Sequence, residues 1–193
     1  MESFYTLQGE GFHSGRAAYF IRLAGCDVGC FWCDVKDSWD ARGYPVLTAD
    51  QILSHAKEYP VGIAVITGGE PTLYDLTELT NKLKLSGFKT HLETSGAHPI
   101  LGNFDWICLS PKKFKPPVES ALSMANELKV VVFNKSDFKW AEEYAAKVNR
   151  ECLLFLQPEW SKVEQMAPLI IDYIKKFPKW RLSLQSHKYI HIP

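Results

Sequence analysis

The 193-residue sequence lacks an excess of either charge, since it contains 22 Lys plus Arg and 22 Asp plus Glu. A broad basic face for nucleic acid is therefore not expected. The longest apolar runs, such as Ile63 to Ile66, are far too short to span a membrane. The first residues, MESFYTLQGEG, have neither the positive charge nor the apolar stretch of a signal peptide, so we expect a cytoplasmic protein.

Cysteine is also scarce, with five in the whole sequence, and an odd number argues against a framework of disulfides. Cys26, Cys30 and Cys33 lie within eight residues, whereas Cys108 and Cys152 stand alone. In a reducing compartment, clustered thiols bind metal or carry out redox chemistry more often than they form disulfides.

Short apolar runs rich in β-branched residues alternate with amphipathic segments. The predicted strands, buried on both faces, are 18–23, 62–66, 88–92, 106–109, 128–133 and 153–156. The predicted helices are 48–59, 74–85, 136–148 and 161–177. This alternation predicts an α/β fold with about six parallel strands in a single domain, 1–193. A closed barrel usually needs ~200 residues or more. We therefore expect an incomplete, open β/α barrel, with a doubly wound sheet as the alternative.

The unusual polar and glycine-containing motifs each follow a predicted strand. The cysteine loop follows the first strand, and TGGEP (67–71), ETSG (93–96), SPK (110–112) and QPE (157–159) follow later strands. In parallel α/β folds the carboxyl ends of the strands form one face, where ligands bind. The sequence therefore predicts that these motifs lie together at one opening, the mouth of the barrel at the carboxyl ends of its strands.

The segment GCDVGCFWCD has the spacing C-x3-C-x2-C. Three thiolates on one short loop suit three corners of a [4Fe-4S] cluster and leave the fourth iron open. That iron can bind the amino and carboxylate groups of S-adenosylmethionine (SAM), as radical SAM chemistry requires. A structural zinc site is the alternative, but zinc usually takes four ligands. No second cysteine pair is present, and the spacing does not favour His13 as the fourth ligand.

Glycine and polar residues near the same mouth are candidates for binding SAM. TGGEP resembles the radical SAM motif that meets the methionine end of SAM. Gly68 and Gly69 permit close approach of the backbone, and Glu70 can accept from the SAM ammonium group. ETSG and SPK supply further candidates for the ribose and carboxylate, although turn chemistry is the alternative. These candidates are Glu93, Thr94, Ser95, Ser110 and Lys112.

Two other features point to a small polar substrate. In LQGEG (7–11), the side chains of Gln8 and Glu10 can hydrogen-bond a heterocycle. Arg22 lies in an otherwise apolar strand, where a buried guanidinium is costly without an anion. A substrate carboxylate would satisfy it through two parallel hydrogen bonds, and a structural ion pair is the alternative.

Taken together, these motifs resemble the 7-carboxy-7-deazaguanine synthase (QueE) family of radical SAM enzymes over nearly the whole chain. The resemblance rests on FYTLQGEG, GRAAYFIRLAGC, CFWCD, TGGEP, ETSG, DWICLSPK, NELKVVV, LQPE and the ending WRLSLQSHKYIHIP. It implies an open barrel of the radical SAM type. It also implies a ring-contracting lyase that converts 6-carboxy-5,6,7,8-tetrahydropterin to 7-carboxy-7-deazaguanine with loss of ammonia, on the route to queuosine and related 7-deazapurines.

The resemblance also implies three groups of site residues. Those expected to contact substrate are Leu7, Gln8, Gly9, Arg22, Thr67 and Pro193. Those expected to bind SAM are Trp32, Cys33, Asp34, Gly69, Glu70, Ser95, Ser110, Pro111, Lys112, Gln157, Pro158, Glu159 and Trp160. Those expected to hold the [4Fe-4S] cluster are Cys26, Cys30 and Cys33.

The family is typically homodimeric, takes electrons from a cytosolic donor such as flavodoxin, and holds Mg²⁺ beside the substrate carboxylate. Its members usually carry Thr or Ser directly after CxxCD, and that hydroxyl helps to hold the Mg²⁺. This chain has Val35 there, so the usual mode of Mg²⁺ binding is not expected. Lys36, another positive group or water is the expected replacement. The alternative function is a radical activase, which predicts a wide, exposed mouth for a partner protein.

Overall fold

The computed structural model describes residues 1–60 and 62–193, and in these residues it contains eight strands and six α-helices. The strands are β1 (Glu2–Leu7), β2 (Ala17–Leu23), β3 (Ile63–Gly68), β4 (Lys89–Thr94), β5 (Trp106–Leu109), β6 (Glu127–Val132), β7 (Leu153–Pro158) and β8 (Trp180–Leu182). The helices are α1 (Ala49–Ala56), α2 (Thr77–Leu85), α3 (Glu119–Met124), α4 (Ser136–Ala145), α5 (Val163–Lys176) and α6 (Ser186–Ile190). Short 3-10 helices lie at Lys36–Trp39, Pro71–Leu73 and Trp160–Lys162.

The eight strands form one sheet in sequential order, with β1 and β8 at its two edges. β1 is antiparallel to β2, and every later neighbour pair is parallel. The sheet is therefore an open, incomplete α/β barrel, as expected. A doubly wound sheet reverses its strand order at a switch point, and this sheet does not. The parallel part has seven strands instead of about six.

All six strands that the apolar runs predict are present, and the two edge strands were not predicted. β1 alternates between exposed and half-buried residues, so it has no continuous apolar run. β8 has three residues, of which Trp180 alone is buried. The runs identify strands that are buried on both faces, whereas an edge strand is defined mainly by its pairing.

The four predicted helices are also present, with shifts of up to three residues at their ends, and α3 and α6 were not predicted. Thr48 caps α1 and forms the reciprocal capping box with Gln51. α2 begins at Thr77, because the chain first makes the 3-10 turn at Pro71–Leu73. α5 keeps Pro168 within it. In the described ranges, none of the helices combines the length and the apolar character that crossing a bilayer requires.

The core lies where the helices pack against the parallel strands. Leu92, Leu109, Leu128 and Leu156 come from four neighbouring strands and are all fully buried. Each such leucine contributes roughly 1.5–3 kcal/mol relative to an exposed one. This core fixes the carboxyl ends of β2 to β7, and these ends carry the motifs that the sequence singled out.

The segment after β1 runs back into the barrel. Gln8 Nε2 donates to Glu93 Oε1 at 2.9 Å, and the Phe12 N–H donates to Glu127 Oε2 at 3.1 Å. The residues after β8 hold this segment from the other edge, since the Ser186 N–H donates to the Gly9 carbonyl at 2.9 Å. The two edges of the open sheet are thus joined through the LQGEG segment.

Candidate active site

A cavity of about 290 Å³ opens at the carboxyl ends of the parallel strands. It is lined by Cys26, Cys30 and Cys33, and by the residues predicted to contact substrate, Leu7, Gln8, Gly9, Arg22, Thr67 and Pro193. Of the residues predicted to bind SAM, it is lined by Trp32, Cys33, Asp34, Gly69, Glu70, Ser95, Ser110, Lys112 and Gln157. The predicted mouth is therefore a single cavity.

Four residues from the predicted SAM group do not line this cavity, namely Pro111, Pro158, Glu159 and Trp160. Glu159 is buried and accepts a hydrogen bond from Ser161 Oγ at 2.5 Å. The Trp160 ring lies edge-on to Tyr189, with 5.1 Å between ring centroids. Their roles toward SAM remain predictions.

The three cysteines of the loop pack together in one small cluster, with Val28 and Ala97. The Cys33 N–H donates to the Cys30 carbonyl at 2.9 Å, which turns the loop, and the Val35 N–H donates to Cys33 Sγ at 3.4 Å. Burial, together with the neighbouring thiols, raises the pKa of Cys30 to about 11, against the opposing effect of Lys112. The Cys30 thiol therefore ionises at neutral pH only when a bound cation compensates its charge.

This set of donors fits an iron–sulfur cluster better than a single ion. Within residues 1–60 and 62–193, no group of three His, Cys, Asp or Glu side chains is arranged to hold one metal ion. A zinc ion would need its ligands to converge on one point, whereas a cube takes one thiolate at each of three corners. His13, the candidate fourth zinc ligand, packs instead against His91 and Trp106, with ring centroids 4.5 and 4.6 Å away.

TGGEP packs directly on the backbone of the cysteine loop. The Gly69 N–H donates to the Leu23 carbonyl at 3.0 Å, and the Glu70 N–H donates to the Gly25 carbonyl at 2.8 Å. A Cβ on Gly68 would lie 2.1 Å from the Leu23 oxygen, and one on Gly69 would lie 2.2 Å from the Gly25 oxygen. The close approach that requires these glycines is thus made to the end of β2 for Gly68 and to Gly25, at the start of the cysteine loop, for Gly69.

Glu70 is fully buried and joins two strand ends. Its Oε1 accepts from the N–H and hydroxyl of Thr72 and from the Thr94 hydroxyl, and its Oε2 accepts from the N–H and hydroxyl of Ser95. A carboxylate has about four lone-pair sites, so these donors occupy them. The predicted bond from Glu70 to the SAM ammonium remains a prediction, and it requires one of these bonds to be exchanged.

Arg22 faces the cavity with part of its hydrogen-bonding capacity unused. It pairs with Glu2 across β1 and with Thr67 across β3, so the three residues form one row of the sheet. Arg22 Nε lies 2.7 Å from Glu2 Oε1, but the buried Nε–H makes no hydrogen bond. The structural ion pair that was the alternative is therefore present, and Arg22 also lines the cavity, where an anion can reach its guanidinium.

Lys129 lies in the same cavity, and the sequence did not single it out. It is buried in β6 and forms ion pairs with Glu10 and with Glu93, whose Oε2 is 2.9 Å from the ammonium. Although burial opposes ionisation, the Lys129 ammonium holds the pKa of Glu10 well below its usual range. Glu10 is therefore a negatively charged acceptor at neutral pH.

The C-terminal segment forms part of the cavity wall. Gln185 Nε2 donates to Glu10 Oε1 at 3.0 Å, Lys188 pairs with Asp34, and His187 also lines the cavity. Sequence reasoning did not identify Gln185 or His187. The ending WRLSLQSHKYIHIP identified this segment in the sequence, but it did not show which of its side chains face the cavity.

Lys112 lines the cavity next to the cysteine loop. Its ammonium donates to the Ser110 carbonyl and hydroxyl, each at 2.6 Å, and lies 5.6 Å from the centroid of the Trp32 ring. Burial lowers the pKa of Lys112. Ser110 and Lys112 thus form one polar group beside Cys30, and their predicted binding to SAM remains a prediction.

An open α/β barrel with a three-thiol loop at the carboxyl ends of its strands is the architecture of a radical SAM enzyme. A family model for the Radical SAM superfamily matches residues 20–120, which is more than half of the chain.

Relatives over the full length define the family more closely. The 7-carboxy-7-deazaguanine synthase of Flavobacterium psychrophilum is 58% identical over 193 residues, which cover 100% of this chain and 91% of that protein. The synthase of Synechocystis sp. is 47% identical over 191 residues, covering 99% and 91%. The crystal structure of QueE from Escherichia coli superposes with a TM-score of 0.85 at 34% identity, covering 96% of this chain and 92% of that one. The chain belongs to the 7-carboxy-7-deazaguanine synthase family.

Proposed function

We propose that this protein converts 6-carboxy-5,6,7,8-tetrahydropterin to 7-carboxy-7-deazaguanine, with release of ammonia, in the biosynthesis of queuosine and related 7-deazapurines. This proposal rests on the set of residues that line one cavity. Its wall contains the three thiols of the cysteine loop, the partly unsatisfied guanidinium of Arg22 and the carboxylates of Glu10 and Glu93.

The cofactors of this reaction are a [4Fe-4S] cluster, held by Cys26, Cys30 and Cys33, and SAM. When bound, they supply the one-electron chemistry that breaks a C–H bond of the substrate. The protein itself orients the substrate and excludes water. The buried thiols, the N–H of Val35 directed at Cys33 and the neighbouring polar group of Lys112 support this assignment.

The cavity wall suits both ends of a carboxypterin. Arg22 lines the cavity, and its guanidinium binds the substrate carboxylate. Glu10, Glu93 and the polar Gln8 provide acceptors for the ring N–H groups of the heterocycle. Lys129 forms ion pairs with both carboxylates and lowers the pKa of Glu10.

The residues beside the substrate carboxylate site do not fit Mg²⁺ held in the usual way. Val35 lines the cavity without an oxygen to offer, and the neighbouring Asp34 is ion-paired with Lys188. Lys36, one of the expected replacements, is exposed and does not line the cavity. No step is assigned to Mg²⁺ here, and Arg22 is the positive group at this wall.

The remaining features of the proposal concern organisation and partners. The chain is a single domain over 1–193, it forms a homodimer, and it receives electrons from a donor such as flavodoxin. All five cysteines are free thiols, which is compatible with the cytoplasm. A radical activase needs a wide mouth for a protein segment. The small cavity, whose wall includes Pro193 and His187 of the C-terminal segment, favours a small molecule.

Anaerobic turnover of reconstituted protein with SAM and carboxytetrahydropterin tests this function. We expect a brown protein that forms 7-carboxy-7-deazaguanine, identified by its mass. Cys30→Ala should lose both the visible absorption and all turnover. Cys152→Ala is the matched control, because this thiol is also buried but does not line the cavity.

Product formation by Cys30→Ala would contradict the role of the cysteine loop. Wild-type protein that binds the cluster and cleaves SAM, but leaves carboxytetrahydropterin unchanged, would contradict the proposed substrate and leave the radical SAM assignment intact.

A further inference from the structure

Three aromatic rings meet at the surface beside the cysteine loop. Phe31 follows Cys30 directly and is 57% exposed, and Phe114 is 45% exposed. Phe31 lies edge-on to Phe114 and to Phe133, with ring centroids 5.6 and 5.4 Å apart. We call these three rings the aromatic patch.

The aromatic patch leaves apolar surface in contact with water. Exposed aromatic side chains on a loop add no core stability, and a contiguous apolar patch rimmed by polar groups marks an interaction site. The cavity does not account for it either, because none of the three rings lines the cavity wall. The patch therefore faces away from the substrate while it touches the loop that holds the three thiols.

Lysines lie around the aromatic patch. The Lys162 ammonium lies 5.6 Å from the centroid of the Phe133 ring, and Lys135 is exposed two residues after Phe133. Lys113 is adjacent to Phe114, but it is ion-paired with the buried Asp137. Within residues 1–60 and 62–193, neither Lys135 nor Lys162 belongs to a salt bridge.

The placement of these two lysines opposes helix stability. Lys135 is the N-cap residue of α4, and Lys162 is the N-cap residue of α5. A cation at a helix N-terminus interacts unfavourably with the helix dipole, and acidic residues in the following turn, such as Glu164, offset this only in part. Local stability therefore does not explain why two helices begin with lysine beside the same patch.

We propose that the aromatic patch, with Lys135 and Lys162, docks an acidic protein that donates single electrons to the cluster. This inference rests on the proposed function, which requires an electron from outside the chain. The donor loses one electron, the cluster gains it, and no atom is transferred. The charge of the surface selects the occupant, because two lysines without a salt-bridge partner complement an acidic protein surface.

The test compares two reductants on reconstituted protein. The double variant Lys135→Glu/Lys162→Glu is measured with an acidic flavodoxin and its reductase, and separately with dithionite. Lys175→Glu/Lys176→Glu is the matched control, because it makes the same charge change at the other end of α5. The direct readout is the Kd for oxidised flavodoxin, which requires neither SAM nor turnover.

We expect the Kd for flavodoxin to rise by about tenfold or more in the double variant, and its dependence on ionic strength to weaken. Turnover with dithionite should stay within about twofold of wild type, since neither lysine touches the cavity. Phe114→Ala should weaken flavodoxin binding in the same direction without a change in ionic-strength dependence.

An unchanged Kd in the double variant, or equal losses with flavodoxin and dithionite, would overturn the docking surface. Loss of the dimer with an unchanged Kd would assign the patch to contact between two copies and would also overturn it. If wild-type protein binds flavodoxin through this patch and its cluster is reduced, yet no 7-carboxy-7-deazaguanine forms, the proposed function fails and the docking surface stands.

Discussion

Arg22 and Lys129 line the same cavity, but the protein satisfies their charges to different degrees. The Lys129 side chain is 4% exposed and forms ion pairs with Glu10 and Glu93. The Arg22 side chain is 20% exposed and has Glu2 as its carboxylate neighbour, which leaves the Nε–H without an acceptor. One wall of the cavity therefore satisfies its cation internally, and the other still offers a donor.

This difference orients a substrate that has a carboxylate at one end and ring N–H groups at the other. The wall of Lys129 carries two carboxylates against one ammonium, so it repels an anion and accepts N–H groups. Burial opposes the charge of Lys129, but the surrounding anionic groups raise its pKa well above the usual value. The substrate carboxylate is thus directed to Arg22.

The largest effect is expected from Lys129→Met. It leaves Glu10 and Glu93 buried without their cation, and breaking a buried pair in this way costs ~3–5 kcal/mol. We expect the free energy of unfolding to fall by that amount, as measured by anaerobic urea denaturation. Substrate turnover should fall with it, because the two carboxylates become protonated or move apart.

A charge-matched variant separates the lost pair from lost packing. In Lys129→Met/Glu10→Gln/Glu93→Gln the carboxylates are removed with the ammonium, so most of the stability should return. A single variant that loses less than ~1 kcal/mol would show that Lys129 contributes no more than an exposed ion pair, and the contrast with Arg22 would disappear.

Arg22→Ala should act on binding more than on folding. The loss of the donor facing the substrate carboxylate is expected to weaken substrate affinity by ~2–5 kcal/mol if the bound pair is desolvated. Arg22→Lys keeps the charge but loses the planar fork, so its affinity should lie between those of wild type and Arg22→Ala. The Kd for the substrate, measured under anaerobic conditions, checks both variants. Equal affinity in wild type and Arg22→Ala would remove the anion site from this wall.

The same contrast explains how much of the site the sequence could predict. Arg22 interrupts an apolar run, and a single charged residue in a buried strand can be recognised from the sequence alone. Lys129 interrupts a run in the same way, but its partners are 119 and 36 residues away in Glu10 and Glu93. Its significance depends on the barrel bringing β4, β6 and the segment after β1 together.

The fold was predictable to a similar extent and for a related reason. Continuous apolar runs predicted the six inner strands, because double burial demands such runs. β1 and β8 lack them, since the edges of the sheet are defined by pairing and by the segments that follow them. The role of the TGGEP glycines also became clear only from the packing of Gly68 and Gly69 on the cysteine loop.

The ion pair of Lys129 should also make stability depend on pH. Because the folded-state pKa of Glu10 is depressed, its contribution is complete above the pKa of the unfolded chain and is lost as pH falls toward the folded-state value. We expect a loss on the order of 1–2 kcal/mol between about pH 5 and about pH 3. Glu10→Gln should flatten this part of the profile, and an identical slope in both proteins would rule out Glu10 as its source.

The smallest effect is expected from Glu2→Gln. Glu2 is 51% exposed, so its pair with Arg22 is screened by solvent and contributes about 0–1 kcal/mol to folding. If Glu2 only competes with the substrate for Arg22, its removal should leave the Kd for the substrate unchanged or lower it by a small factor. If the Kd rises as it does in Arg22→Ala, then Glu2 holds the guanidinium in place. Arg22 and Lys129 would in that case both depend on carboxylates of the protein, and the difference between the two walls would be one of burial alone.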